Sequence, residues 1–254
     1  MSGIDFQRSY HLGQEYENIK DRATKIVGKY FEDPNLISFD DVEKRVTFTS
    51  ERLVPVNRSK RPLVMLLFSN PHPHSIKQGM FLSTNIKNRE NLFWPIMRNA
   101  GWFSIPEAKR NSEDLRYMFL RVKYPGPFEL YFYCYYAFPT RYPDHIPRIF
   151  GKRFFSQIIE PQANAELRKT VQEIAVEAIV VFNKGIFNLV SDEKIVRYIE
   201  QLNEGELVQG RIREFDKAIP IFLTHPTGWR YHKEYKILRK ASLEKIKAAI
   251  LKRT

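Results

Sequence analysis

The chain has 254 residues, 43% of them hydrophobic and 28% charged, the mixture of one globular domain, or one domain with an appendage, rather than of a disordered chain. Its formal charge is +12, with an isoelectric point near 9.6, which implies a polyanionic partner: nucleic acid, an anionic membrane or a phosphorylated ligand. The single cysteine, Cys134, excludes an internal disulfide, a four-thiolate zinc site and an iron–sulfur cluster.

The first twenty residues hold no apolar core of signal-peptide length. No run in the chain approaches the roughly 18 apolar residues of a membrane span. The expected address is the cytoplasm, in association with the nucleoid, without a membrane partner. A polar helix is predicted over 16–31, ended by Asp33-Pro34-Asn35. Residues 44–56 alternate enough for a strand or hairpin. LVMLLFS (63–69) is a continuous apolar run bounded by turn residues, which reads as a fully buried parallel strand. It stops at NPHPHS (70–75), a loop by its prolines.

Helices are predicted over 89–100 and 112–121, the second capped by Asn111 or Ser112. FELYFYCYYAF (128–138) is a second β-favouring run, ended by Pro139-Thr140. A helix over 163–173 leads to a third strand, VEAIVVFN (176–183). A helix over 192–202 precedes a fourth, AIPIFLT (218–224), which ends at His225-Pro226. The tail over 233–252 is an amphipathic helix with Leu243, Ile246 and Ile250 on one face.

Four buried strands alternating with helices predict a three-layer α/β domain: a four-stranded parallel central sheet flanked by helices. Residues 61–254 would form that domain, and 1–60 a helical and hairpin extension packed on it. In such sheets ligands bind outside the carboxyl ends of the strands. Those ends carry Asn70-Pro71-His72-Pro73-His74, Pro139-Thr140-Arg141, Asn183-Lys184-Gly185 and His225-Pro226-Thr227.

The two outer motifs, SNPHPHSIKQGMF (69–81) and THPTGWRY (224–231), with YFYCYYAF (131–138) between them, resemble the uracil-DNA glycosylase superfamily. The nearest pattern is its single-strand-selective monofunctional branch, which has Asn-Pro-Gly-Pro after the first strand and His-Pro-Ser/Thr after the last. The resemblance spans about residues 60–254. It implies a monofunctional DNA glycosylase for base-excision repair, hydrolysing the N-glycosidic bond of a flipped damaged or deaminated base with no metal or other cofactor. Asn70 would position the attacking water, and His225 would hydrogen-bond the base carbonyl as the bond breaks. Phe81 would stack on the base. Thr227, Trp229, Arg230, Tyr231 and Lys233 would enter and track the DNA, with Lys77 meeting phosphate. A monomer acting on single- or double-stranded DNA is expected.

The chemistry suits those residue types. The reaction builds oxocarbenium character on the sugar and negative charge on the leaving base. A donor aimed at that charge is worth about 100- to 1,000-fold in rate, and extruding the base costs a few kcal/mol.

Two positions depart from the pattern. His72 replaces the motif glycine and would line the base pocket, and alignment on Cys134 puts Phe132 where that branch reads uracil with an asparagine. A non-catalytic nucleic-acid-binding member of the same fold is therefore the alternative. A nucleic-acid methyltransferase fits less well, since no glycine-rich cofactor loop follows an early strand. The charge is also uneven: residues 229–254 hold nine Lys/Arg and two Glu, a net of +7, placing positive field just after His225.

Overall fold

The computed structural model describes residues 5–82, 90–213, 215, 218–226 and 233–253, with the side chains of residues 5 and 233–235 outside the description. Strands β1 (Asp5–His11) and β2 (Ile37–Asp40) lie before and after helix α1 (Tyr16–Val27) in the chain, and each pairs antiparallel with β3 (Arg45–Leu53). Strand β4 (Leu63–Phe68) runs through the NPHP segment into the short helix α2 (Pro73–Gln78). Helices α3 (Phe93–Asn99) and α4 (Ser112–Arg121) follow, then β5 (Glu129–Cys134). Beyond it lie α5 (His145–Phe150), α6 (Lys152–Phe154), a π-helical turn at Phe155–Ile159 and α7 (Glu160–Glu173). The last third holds β6 (Ala178–Val181), α8 (Lys184–Val190), α9 (Tyr198–Asn203), β7 (Gln209–Arg211), β8 (Pro220–Leu223) and α10 (Lys233–Leu251).

The four apolar runs are parallel neighbours in the order β5, β4, β6, β8. The sheet is wider than the expected four strands, and it is mixed. Among the described residues it has eight strands, with β3 antiparallel to β5 on one side and β7 antiparallel to β8 on the other. The strands between residues 5 and 53 thus extend the same sheet, Arg52 pairing Tyr133 and Leu53 pairing Phe132.

The alternation of side chains explains why the central strands read as continuous apolar runs. Leu63, Met65 and Leu67 of β4 face one core, and Val64, Leu66 and Phe68 face the other. Tyr131 and Tyr133 of β5, Ile179 and Val181 of β6, and Ile221 and Leu223 of β8 join the first core. Leu130, Phe132, Val180 and Phe222 join the second. Helices cover both faces: α1, α5, α7 and α8 contribute to the first core, and α3, α4 and α10 to the second. Each fully buried aliphatic or aromatic side chain contributes about 1.5–3 kcal/mol, so a charge at any of these positions would break the layering. Leu243, Ile246 and Ile250 of α10 are buried as expected of an amphipathic face.

Local signals fix the helix ends. Asn111 caps α4 by accepting from Asp114 N at 2.8 Å. Helix α9 is shorter than the expected 192–202. Its predicted first half is an extended arm, where Asp192 N donates to Arg211 O and Asp192 Oδ1 accepts from Arg211 N, beside the edge strand β7.

Candidate functional site

The parallel strands end level with one another, because Phe68 pairs Cys134, Leu67 pairs Val181 and Val181 pairs Leu223. Their carboxyl edge therefore presents Thr140, Asn70, Asn183 and His225 from the segments that follow β5, β4, β6 and β8. β4 and β8 are separated by β6, so at about 4.8 Å per strand the backbones leading to Asn70 and His225 stand roughly 10 Å apart.

Asn70 is half-buried. Its Nδ2 donates to the Thr140 carbonyl at 2.7 Å, to Thr140 Oγ1 at 2.9 Å and to the Pro71 carbonyl at 3.1 Å. Two of those acceptors are carbonyls, so the amide has one possible orientation. Thr140 is fully buried; its hydroxyl donates to the Tyr142 carbonyl at 2.8 Å and its N–H to the Pro71 carbonyl at 3.1 Å. The segment after β5 thus clamps the segment after β4. Nothing among the described residues donates to Asn70 Oδ1, which leaves that oxygen available to accept from water or ligand.

The segment after Asn70 has local order of its own. His72 caps α2, its Nδ1 accepting from His74 N at 3.1 Å, and Pro73 occupies the first helical position. His72 thus spends its Nδ1 and its bulk on a helix start. Gly79, at φ 62°, ends α2 in the left-handed region. The chain then turns inward, with Met80 N donating to Ser75 O. Phe81 follows and is 2% exposed.

Phe81 and Phe132 lie inside an aromatic core with their rings 5.6 Å apart. Phe68 stacks on Phe182 at 4.9 Å and 4°, and Phe93, Trp94 and Phe119 close around Phe132. Both candidate base-binding rings are packed against protein rather than presented at the surface. Lys77 is exposed and lies 3.7 Å from Asp33 Oδ2, so its charge faces the N-terminal segment. Thr227, Trp229, Arg230 and Tyr231 lie outside the described residues, as does the side chain of Lys233.

His225 is fully buried at the end of β8. Its Nε2 lies 3.2 Å from Asn203 Oδ1, at the exposed end of α9. Burial, reinforced by the nearby Arg239 guanidinium, pushes its pKa down to about 4. The ring is therefore neutral at physiological pH. Beside it, the buried hydroxyls of Thr224 and Ser242 lie 3.2 Å apart. Arg239 of α10, 2% exposed, donates to the Pro226 carbonyl.

Cys134 is buried, and burial raises its thiol well above the ordinary value, so the unreactive protonated form persists. Among the described residues no group of three His, Cys, Asp or Glu is placed to hold a metal ion, and no helix is long and apolar enough to cross a membrane. A cleft of about 440 Å³ is lined by Arg98, Ser104, Arg110 and Gly126 and includes neither Asn70 nor His225.

Thr140, Asn203 and Arg239 are the site residues that sequence reasoning missed. Each acts through a contact to a residue at least 13 positions away, and no local pattern marks such a contact. Thr140 alone carried a signal, as the residue after the proline that ends the apolar run 128–138. No protein-family model matches the chain, and no curated protein matches it in sequence.

Proposed function

We propose that the protein binds DNA at the carboxyl edge of its sheet and hydrolyses the N-glycosidic bond of an extruded base, in the manner of the uracil-DNA glycosylases that its motifs resemble. The observation that carries this reading is the Asn70 amide. Its nitrogen is held by Thr140 and Pro71, and its oxygen is left over. An oxygen fixed in that way accepts a hydrogen bond from a water and aims it. Aiming is the main requirement when the acceptor is an oxocarbenium-like sugar, since so electrophilic a carbon needs little deprotonation of the nucleophile.

A neutral His225 complements this. Its ring N–H can donate a hydrogen bond to the oxygen of a departing base, with no proton transferred, once the exposed Asn203 amide yields to the base. The basic segment from 229 onward follows His225 closely in the sequence, and its charge suits a phosphodiester backbone. Phe132 has no hydrogen-bonding group, so the base is read by other groups, and a deaminated or modified base is the expected substrate class.

The test is a panel of single- and double-stranded oligonucleotides carrying uracil, hypoxanthine, xanthine and other lesions, scored for alkali-sensitive sites. Release from at least one substrate, lost in N70A and H225A while DNA binding persists, is the expected result. A fully active double variant overturns the assignment of both residues.

A second reading, non-catalytic binding of nucleic acid, is favoured by one observation: Phe81 and Phe132 fill each other's faces in the core. Intact oligonucleotides throughout the panel, together with salt-sensitive gel shifts, would select it.

A further inference from the structure

Arg239 is the most unusual charge among the described residues. It is 2% exposed, on the helix that buries Leu243, Ile246 and Ile250. A buried guanidinium normally faces a carboxylate. Among the described side chains none pairs with Arg239, and its Nε has no hydrogen-bond partner. The bond it does make is to the Pro226 carbonyl, the residue after His225.

We infer that Arg239 is a positioning residue for His225: it anchors the His225-Pro226 turn to α10 and supplies a fixed positive charge behind the imidazole. The cost of an unpaired buried charge is several kcal/mol, which a packing role does not explain, since methionine or leucine would fill the space without it. The direction of the effect is set by the surroundings. From α10 the groups beside His225 are the Arg239 guanidinium and, through Thr224, the Ser242 hydroxyl. From α9 the facing group is the uncharged Asn203 amide. Among the described residues Arg239 is the charge that acts on the ring, and it opposes a second positive charge there. Burial lowers the imidazole pKa in the same direction. Arg239 therefore holds the ring as a neutral donor and sets the loop that carries it.

This inference rests on the assignment of His225 to the site, and its test has a readout that does not need base release. The imidazole signals of the full chain are followed by NMR from pH 8 to pH 3.5, with H225Q identifying the His225 signal. In the wild type His225 is expected to stay neutral down to about pH 4. R239Q keeps a donor for Pro226 but removes the charge, and should raise the proton affinity of His225 about tenfold. R239K keeps the charge and should leave the titration low.

An unshifted His225 in folded R239Q overturns the inference. Should R239Q fail to fold, R239K decides alone: a His225 titrating near 6.5 in that variant, with the charge retained, overturns it equally. If base release is found, R239Q should lower kcat with KM for the oligonucleotide little changed. A chain without base release but with the predicted titration would sink the glycosylase reading and leave the role of Arg239 standing.

Discussion

The side-chain amide of Asn70 donates to both oxygens of Thr140, at 2.7 Å to the carbonyl and 2.9 Å to the hydroxyl. Two residues from the segments that follow adjacent parallel strands thereby lock each other, and the lock decides which end of the amide faces outward. Thr140 is spent entirely inside this arrangement, since its hydroxyl also donates to the Tyr142 carbonyl and its N–H to Pro71. A catalytic or binding role for Asn70 therefore depends on a residue that itself never reaches a ligand.

Replacing Thr140 by valine keeps the shape and removes the hydroxyl. The Tyr142 carbonyl loses its donor and Asn70 loses one acceptor, so unfolding in urea should show a loss of about 1–3 kcal/mol. Base release should fall further than stability alone explains, by roughly 10- to 100-fold, because a slight displacement of a positioning group is costly. Unchanged release in a destabilised T140V would show that Asn70 holds its place without the hydroxyl.

Asn70→Asp tests the orientation of the amide directly. A carboxylate is the better activator of water, yet here it would face the Thr140 and Pro71 carbonyls with no proton to donate. The protonated acid regains one donor, so its pKa in the folded chain is raised above the unfolded value. Stability relative to the wild type is then best at low pH and is lost as pH rises through the folded pKa. The urea midpoint of N70D should fall short of the wild type by more at pH 8 than at pH 5, the deficit at pH 8 corresponding to about 1–3 kcal/mol. An equal deficit at both values would mean that the amide nitrogen does not face those carbonyls.

The buried His225 gives the protein an acid limb of its own. Its folded pKa, about 4, lies below the ordinary 6.5. Above 6.5 neither folded nor unfolded chain binds a proton there, and the group adds no pH dependence. Between 6.5 and 4 the unfolded chain binds a proton that the folded chain refuses, so stability falls as pH falls, by up to about 3 kcal/mol at pH 4. Urea unfolding across this window should show that slope, and H225Q, a neutral side chain at every pH, should flatten it. A slope identical in both proteins would assign the acid sensitivity to other groups.

What the sequence disclosed follows from where the signal is physically stored. The runs at 63–69, 128–138, 176–183 and 218–224 announce the central parallel strands because both faces of each are buried, which demands apolar residues without interruption. The edge strands carry no such demand. β7 is Gln209-Gly210-Arg211, and β1 mixes Asp5, Gln7 and Arg8 with Phe6 and Tyr10. Helix α8 went unread because it starts directly at the end of β6, with Asn183 serving both as the strand's exit and as the helix cap. At the site, Asn70 and His225 could be found because strand ends are marked by prolines. Asn203 and Arg239 could not, because they reach His225 and Pro226 from other elements.

Phe132 provides the sharpest check on how the resemblance is aligned. Placing asparagine there would restore the uracil-reading residue of the single-strand-selective glycosylases, and by motif alone F132N should gain uracil recognition. The structure argues for a different outcome. Phe132 is fully buried among Phe68, Phe81, Phe93, Trp94 and Phe119. The substitution would empty the ring's volume and bury an amide without partners, at about 3–5 kcal/mol or more. F132L, which keeps an apolar side chain in the same space, should cost clearly less. Urea unfolding of the two variants, beside uracil release at a temperature where both are folded, separates the possibilities. A stable F132N that releases uracil would mean that the ring borders a base pocket; an unstable one with no release fits a core residue and moves base reading to other groups along the carboxyl edge.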